Sequence, residues 1–166
     1  GGKTLHIAAL MGNKGKITAM DINARKLEDL KRRAQRGGIS ILSVSLAEPN
    51  TIELWANKAD RLLLDVPCSG TGVLRRKPDA KWKLTPEFIE EIKKTQAGIL
   101  DAYTTMLKPG GIMVYSTCSI LPAENGEQIR AFLQRNNQYE LLEEKSISPA
   151  QSGFDGFYIA KLKKKS

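Results

Sequence analysis

Histidine and cysteine are scarce in this chain of 166 residues, which has one histidine and two cysteines. The cysteines, Cys68 and Cys118, form no CxxC pair and no HxxxH spacing occurs, so the sequence predicts no metal site. His6 falls inside a predicted helix, as a packed or partly exposed side chain. No apolar run approaches the roughly 20 residues of a membrane helix, and no signal peptide is recognisable. We therefore expect neither a bound metal nor a membrane span.

Acidic residues are also outnumbered, since 18 Asp and Glu stand against 26 Lys and Arg, for a net charge of +8. Such an excess predicts a polyanionic partner, above all nucleic acid. A basic surface that only keeps the protein soluble is the alternative, and charge alone leaves both open. The hydrophobic content of 41% and charged content of 27% are ordinary for a globular protein. The length suffices for one domain with a real core, predicted over residues 1–166.

Two apolar runs end at chemically active residues. The three leucines at positions 62–64 predict a parallel strand buried on both faces. That strand ends at Asp65, because Pro67 and the turn-forming residues after it prevent its continuation. A second predicted strand, residues 111–116, is followed by Cys118. Ligands of open α/β sheets lie beyond the carboxyl ends of the strands, which is where Asp65 and both cysteines fall.

The two cysteines allow a structural interpretation as well. They could form one disulfide or be two buried structural thiols. A chain otherwise so poor in cysteine is typical of the cytoplasm, where thiols stay reduced. We therefore expect a cytoplasmic protein with free thiols, and the structural alternative stays open at this point.

Helices and strands alternate along the chain, which predicts the α/β class. Predicted helices cover residues 5–11, 23–36, 48–56, 86–107 and 122–136, with a turn at residues 108–111. The other predicted strands cover residues 16–21, 39–44, 139–143 and 156–162, the last one antiparallel at the sheet edge or in a hairpin. Asp21 ends a strand, where it could accept hydrogen bonds from a ribose diol or cap the next helix. Because Asn23 is already a capping residue, we favour the ribose.

Basic residues surround an aromatic one after Cys68. They are Arg75, Arg76, Lys77, Lys81 and Lys83, with Trp82 among them. This pattern suits a phosphate backbone and a stacked base. A solvated run of charge with Trp82 packed inward is the alternative. The opening residues Gly1-Gly2-Lys3-Thr4 lead into a helix N-terminus, which suits an anionic group, although they could equally be a frayed terminus.

With residues 65–72 (D-V-P-C-S-G-T-G) and residues 116–119 (S-T-C-S) in place, the chain resembles the Sun/Fmu-type (RsmB-like) RNA cytosine-C5 methyltransferases. The pattern of that family reads D-A-P-C-S-G-T-G, followed later by T-C-S. Further agreements span the chain: Gly1-Gly2-Lys3-Thr4, Gly15-Lys16, Asp21 before Arg25, Lys108-Pro109-Gly110-Gly111, Pro122-Ala123-Glu124-Asn125 and Asp155-Gly156-Phe157-Tyr158. The resemblance implies a Rossmann-like class I S-adenosylmethionine-dependent methyltransferase fold, a mostly parallel sheet with helices on both faces. It also implies RNA as the substrate, in particular small-subunit ribosomal RNA.

The resemblance assigns the chemistry to three residues. The Cys118 thiolate would add to carbon 6 of cytosine and make carbon 5 nucleophilic toward the methyl group of S-adenosylmethionine. Asp65 would hydrogen-bond the N3 edge and the exocyclic amine as charge develops. Cys68 would assist loss of the carbon 5 proton, so that the thiolate can be expelled. The target base must leave its stack to reach this site.

Cofactor contacts follow from the same resemblance. Gly1, Gly2 and Lys3 match the end of the cofactor loop of the family, Asp21 matches its ribose acid, and Asp65 lies near the methionine end. Two positions depart from the pattern. Ser45 stands where the family has an acid for the adenine amine, and would offer one weaker hydrogen bond. Val66 replaces the usual alanine and is expected to crowd its loop.

A further departure lies before Gly1. The strand and the C-A-A-P segment that precede this position in the family are absent, as is its N-terminal RNA-binding region. The missing strand would lie between the strands that end at Asp21 and Asp65, so its neighbours would lose hydrogen-bond partners. We expect a catalytic-domain fragment with its first strand missing and an incomplete cofactor pocket, and micromolar binding of S-adenosylmethionine would contradict this.

Two rival functions remain. A non-catalytic RNA-binding module would keep the fold without turnover. A DNA cytosine methyltransferase would use the Pro-Cys thiol, here Cys68, as the attacking nucleophile instead of Cys118.

Overall fold

The computed structural model describes all 166 residues, in two compact units: the N-terminal unit, Gly1–Leu54, and the C-terminal unit, Trp55–Ser166. The single domain expected from the sequence stays a prediction. Helices and strands alternate along the chain, which confirms the α/β class. No helix has the length and apolar character that crossing a bilayer requires.

The N-terminal unit is built around one pair of parallel strands. Its elements are α1 (Gly2–Leu10), β1 (Ile17–Asp21), α2 (Ala24–Arg36), β2 (Leu42–Leu46) and α3 (Pro49–Leu54). The pairing of β1 with β2 runs from Ile17 opposite Leu42 to Asp21 opposite Leu46. The two strands therefore end side by side, at Asp21 and Leu46.

The amphipathic helix α2 supplies most of the buried apolar side chains of this unit. Leu27, Leu30 and Ala34 recur at helical spacing and are buried. The helix begins at the predicted cap, because Asn23 Oδ1 accepts hydrogen bonds from the backbone N–H groups of Arg25 and Lys26.

The C-terminal unit contains a four-stranded mixed sheet. Its elements are β3 (Ala59–Asp65), α4 (Pro86–Tyr103), β4 (Leu107–Thr117), α5 (Gly126–Arg135), β5 (Tyr139–Ile147), α6 (Pro149–Ser152) and β6 (Phe157–Lys164). The strand order is β3-β4-β6-β5, with β3 and β4 parallel and the other two pairs antiparallel. Asp65 lies opposite Ser116, so the carboxyl ends of β3 and β4 meet at one edge of the sheet.

One hydrophobic core holds this unit together. Helix α4 starts where predicted, since the Thr85 hydroxyl accepts a hydrogen bond from Phe88 N at 3.2 Å and Pro86 occupies the first turn. The core combines side chains from the sheet with side chains from α4 and α5: Leu64, Val66, Leu100, Leu107, Met113, Tyr115, Ile129, Phe132, Tyr139, Tyr158, Ala160 and Leu162. Val66 is part of this core, so the bulkier side chain fills buried space beside the loop.

Some predicted boundaries were wrong for local reasons. Strand β2 begins at Leu42 because Ile39 N still bonds Ala34 O, so residues 37–39 complete the end of α2. The predicted turn at residues 108–111 belongs to β4, as an irregularity in its pairing with β3 in which Gly110 has φ of +75°. A 3₁₀ turn, Pro122–Glu124, precedes α5, which begins only at Gly126.

The prediction of a leucine strand buried on both faces was wrong, and of the two alternatives for the last strand only the edge position was wrong. The leucine strand is not buried on both faces, because β3 lies at the edge of its sheet and Leu63 is 39% exposed while Leu64 is buried. The last strand, β6, is antiparallel and pairs with β5, which confirms the predicted hairpin alternative. It lies inside the sheet, because β5 occupies the edge.

Candidate active site

The two cysteines meet at the edge where β3 and β4 end. Cys68 follows Asp65 by three residues, and Cys118 directly follows Thr117, the last residue of β4. Their sulfur atoms lie 3.2 Å apart without a disulfide bond between them, and both side chains are partly buried. The structure therefore brings together the two residues that the sequence places 50 positions apart.

Backbone hydrogen bonds hold the two loops against each other. We call residues 66–72 together with residues 118–121 the thiol rim. Val66 N donates to Ser116 O at 3.2 Å, and Gly72 N donates to Cys118 O at 2.9 Å. Only glycine fits at position 72, since a Cβ there would lie 2.2 Å from Gly156 O and 2.8 Å from Cys118 O. The path of the backbone through the rim is thus fixed by close packing.

A buried carboxylate lies beneath the rim. Glu124 is fully buried, and its Oε1 accepts hydrogen bonds from Ser69 N at 2.8 Å and from Gln96 Nε2 at 3.1 Å. Its Oε2 accepts hydrogen bonds from the hydroxyls of Ser69, at 2.5 Å, and Ser119. We call these residues together with Thr71, whose hydroxyl lies 3.0 Å from that of Ser119, the Glu124 cluster. A buried carboxylate is stable only when its oxygen atoms accept hydrogen bonds, and each oxygen of Glu124 accepts two.

The thiols influence each other electrostatically. The hydrogen bond with Cys118, more than burial, raises the pKa of the Cys68 thiol far above its ordinary value. Two thiolates at this separation would repel each other, so the pair carries at most one negative charge near neutral pH. The hydrogen bond between the two sulfur atoms thus disfavours the thiolate form of Cys68.

Asp65 is the last residue of β3, so it lies at the same end of the strands as the two cysteines. It is exposed, and its Oδ1 accepts a hydrogen bond from the Ser116 hydroxyl at 3.3 Å. A carboxylate placed here can accept hydrogen bonds from an amine or a protonated ring nitrogen of a bound molecule.

The predicted basic stretch, residues 75–83, which we call the basic segment, is exposed. It contains a 3₁₀ helix, Pro78–Lys83. Trp82 is 79% exposed, so the alternative in which it packs inward was wrong. The Lys81 ammonium lies 4.7 Å from the centre of the Trp82 ring.

Two tethers connect the basic segment to a neighbouring loop. Arg76 forms an ion pair with Asp155, and Arg75 donates a hydrogen bond to Gly153 O at 3.1 Å. Between them lies a cavity of about 210 Å³ beside the exposed ring of Phe154. Residues from the rim, the segment and that loop line it: Thr71, Gly72, Leu74, Arg75, Pro149, Gly153, Phe154 and Asp155.

The cofactor candidates of the N-terminal unit lie at exposed or half-buried positions. Gly1, Gly2 and Lys3 form the exposed start of α1. The Asp21 side chain is 32% exposed, accepts a hydrogen bond from Asn23 N at 2.9 Å and lies 3.6 Å from the Lys26 ammonium. Ser45 is half-buried one residue before the end of β2. Since Asn23 caps α2, the alternative of a capping Asp21 was wrong.

Sequence reasoning missed the roles of Gln96 and Glu124. A signal was present for Gln96, which shares the face of α4 that buries Leu100, an uncommon position for a polar side chain. Glu124 belonged to the family pattern, but nothing local linked it to Ser69. No group of three or more His, Cys, Asp or Glu side chains is arranged to hold a metal ion.

Comparisons with known proteins agree with one another. A sequence model of the family described as 16S rRNA methyltransferase RsmB/F matches residues 1–163. The ribosomal RNA small subunit methyltransferase B of Yersinia enterocolitica is 41% identical over 99% of this chain. The chain spans 40% of the length of that relative.

Solved structures are similar as well. The crystal structure of PH0851 superposes with a TM-score of 0.93 at 34% identity, over 99% of this chain and 40% of that one. NSun6 from Pyrococcus horikoshii, crystallised with SFG, an analogue of S-adenosylmethionine, superposes with a TM-score of 0.89 at 29% identity. That comparison covers 100% of this chain and 46% of the other.

Proposed function

The chain belongs to the RsmB/F family of 16S rRNA methyltransferases, and we propose that it takes part in methylation of cytosine C5 in small-subunit ribosomal RNA. Its similarity to PH0851 and NSun6 confirms the Rossmann-like methyltransferase fold. The observation that carries the proposal is the contact of 3.2 Å between Cys68 Sγ and Cys118 Sγ, beside the strand end that holds Asp65.

Cys118 is the nucleophile in this proposal. Its thiolate forms a bond to carbon 6 of cytosine, which converts the ring into an enamine that is nucleophilic at carbon 5. The raised pKa of Cys68 supports this assignment, because it disfavours Cys68 as the attacking thiolate. The same argument speaks against the DNA-type scheme, in which Cys68 would attack.

Cys68 then handles the proton. Once Cys118 is bound to carbon 6, it no longer carries the charge or the hydrogen bond that raises the pKa of Cys68. Cys68 is partly exposed, so it can ionise and take the carbon 5 proton after methyl transfer. Breaking the bond between Cys118 and carbon 6 restores the aromatic ring and the thiolate.

Asp65 positions the ring in this scheme. Ser116 orients its carboxylate by a hydrogen bond of 3.3 Å, and its exposed position leaves it accessible to the amine and N3 edge of cytosine. Hydrogen bonds at that edge stabilise the charge that develops on the ring when the thiolate adds.

S-adenosylmethionine supplies the methyl group. In the N-terminal unit, Asp21 and Ser45 lie at the ends of two neighbouring parallel strands, with partly accessible oxygen atoms. These oxygen atoms fit the hydrogen-bond donors of a ribose and an adenine, so we assign them to this cofactor together with Gly1, Gly2 and Lys3. Ser45 offers the adenine amine a weaker hydrogen bond than the acid that the family has at this position.

The basic segment is proposed to bind the RNA. Arg75, Arg76, Lys77 and Lys81 provide positive charge, and the exposed Trp82 ring offers a face on which a base can stack. The cavity beside Phe154 has room for part of a flanking nucleotide.

The experiment compares the two cysteine variants. In vitro transcribed 16S ribosomal RNA is incubated with S-adenosylmethionine and the chain, and covalent protein–RNA adducts are measured on a denaturing gel. Cys68→Ala should accumulate the adduct, because the carbon 5 proton stays in place, whereas Cys118→Ala should form none.

A double variant lacking both thiols serves as the control and should also form no adduct. Loss of the adduct in Cys68→Ala with its retention in Cys118→Ala would instead favour the DNA-type chemistry. For the wild-type chain, RNA containing 5-fluorocytosine should trap the adduct, and absence of any adduct there would favour the non-catalytic RNA-binding module.

A further inference from the structure

The Glu124 carboxylate contacts the residue that follows each cysteine. It accepts hydrogen bonds from both the N–H and the hydroxyl of Ser69, next to Cys68, and from the hydroxyl of Ser119, next to Cys118. We infer that Glu124 is a positioning residue, which fixes the separation of the two thiols by holding both loops through one carboxylate. Its consequence for methyl transfer rests on the function proposed above, but its consequence for the thiols does not.

Gln96 strengthens the same connection from α4. Its Nε2 donates to Glu124 Oε1 at 3.1 Å and to Pro67 O at 2.9 Å, so it also holds the residue before Cys68. Both partners are acceptors, which fixes the orientation of the Gln96 amide. In that orientation Gln96 Oε1 is buried without a hydrogen-bond partner in the structure. The amide oxygen of Gln96 thus lacks a hydrogen bond, while its NH₂ group donates to Pro67 O in the rim and to the Glu124 carboxylate.

A carboxylate is suited to this position because the groups that face it are donors. Its two oxygens receive two N–H groups on one side and two hydroxyls on the other. An ionised carboxylate only accepts, whereas an amide at position 124 would place an NH₂ group against one of these pairs. The hydroxyls of Ser69 and Ser119 can rotate to accept from that group, so Glu124→Gln should fold while holding the loops less firmly.

Direct catalysis by Glu124 is excluded by its burial. The side chain is 0% exposed and lies among Ser69, Gln96 and Ser119, so it can touch neither RNA nor cofactor. Tyr115 also donates from its hydroxyl to Glu124 O at 2.8 Å, which ties the backbone of this residue to the core. Any effect of Glu124 on the reaction must therefore pass through the position of the cysteines.

The first experiment measures the thiols without RNA. Oxidised glutathione converts the two thiols to a Cys68–Cys118 disulfide and two molecules of reduced glutathione, and the equilibrium constant reports how well the thiols are held together. We expect this constant to fall about tenfold in Glu124→Gln, since one or two charge-assisted hydrogen bonds are lost. Glu127→Gln makes the same charge change at an exposed position and should leave the constant unchanged.

Circular dichroism checks that each variant is folded. If Glu124→Gln does not fold, Ser119→Ala decides the question, because it removes one donor and leaves the carboxylate in place; its constant should fall severalfold. A wild-type constant in a folded Glu124→Gln or, failing that, in Ser119→Ala overturns the inference. An equal change in Glu127→Gln overturns it as well.

The second experiment measures methyl transfer. Glu124→Gln should lower kcat about tenfold without a change in KM for the RNA, because a buried side chain affects the reacting thiols and not the RNA contacts. A raised KM with an unchanged kcat contradicts the inference. If the wild-type chain transfers no methyl group at all, the proposed function fails, and the glutathione equilibrium still tests the role of Glu124.

Discussion

One part of the thiol rim, residues 66–72, follows the same strand as the basic segment, β3, yet the rim and the segment are built in opposite ways. In the rim, Ser69, Thr71 and Ser119 are buried, and each is hydrogen-bonded within the Glu124 cluster. In the basic segment, the charged side chains and the Trp82 ring point to solvent, and two contacts, from Arg75 and Arg76, tether it to residues 153–155.

This difference corresponds to the demands of the two proposed tasks. Covalent catalysis needs reacting atoms in place to within a fraction of an ångström, and a buried, hydrogen-bonded support provides this precision. Attraction of a polyanion acts over about a Debye length, roughly 8 Å at physiological salt, and tolerates mobile side chains. We therefore expect substitutions in the rim to act on stability and chemistry, and substitutions in the basic segment to act on RNA affinity alone.

The largest effect should come from a single methyl group in the rim. Gly72→Ala places a Cβ 2.2 Å from Gly156 O, and because the atoms it meets are backbone atoms, the loops themselves must move. We expect a loss of about 3 kcal/mol in the free energy of unfolding, at the upper end for overpacking. Urea denaturation measures the loss, and the glutathione equilibrium of the thiol pair should shift as well.

Gly98→Ala is the matched control for this substitution. Gly98 lies in α4, and nothing lies within 4 Å of its added Cβ, so alanine should stabilise the protein by about 0.5–1 kcal/mol. If Gly72→Ala does not lower the free energy of unfolding relative to Gly98→Ala, the backbone of the rim can shift at little cost. The contrast with the basic segment then disappears.

The next effect concerns the aromatic ring of the basic segment. Trp82→Ala should weaken binding of single-stranded RNA by about 1–2 kcal/mol, because one stacked base loses its partner. Since Trp82 is 79% exposed, stability should stay within about 0.5 kcal/mol of the wild type. Fluorescence anisotropy with labelled RNA measures the affinity, and Trp82→Phe should retain most of it. A large loss of stability would instead mean that Trp82 supports the fold.

The meeting of the thiols could be predicted from the sequence, because both cysteines follow apolar strands. The carboxyl ends of parallel neighbours lie at one edge of the sheet, and the pairing of Asp65 with Ser116 realises this. The cap at Asn23 and the start of α4 at Thr85 could also be predicted, since both depend on side chains within three residues. Local chemistry of this kind is readable without tertiary structure.

Other features depend on contacts that no local pattern encodes. The carboxylate of Glu124 bonds Ser69, which lies 55 positions away, and Gln96, which lies 28 away. The exposure of Leu63 follows from the place of β3 at the edge of its sheet, and the leucine run itself does not reveal that place. The pairing of Arg76 with Asp155 joins the basic segment to the loop after α6, a helix of four residues that carries no periodic signal.

The smallest effect separates local charge from total charge. Lys77→Gln removes one exposed positive charge from the basic segment, and Lys94→Gln removes one from the exposed face of α4. If Lys77 contacts a phosphate, its loss should reduce the slope of log affinity against log salt by about 0.7 for a single strand, at a cost under about 1 kcal/mol. Lys94→Gln should leave that slope unchanged, as anisotropy titrations from low to high salt would measure. Equal slopes for the two variants would mean that RNA responds only to the net charge of +8 and not to the charge of the basic segment. That result would favour the alternative of a basic surface that keeps the protein soluble.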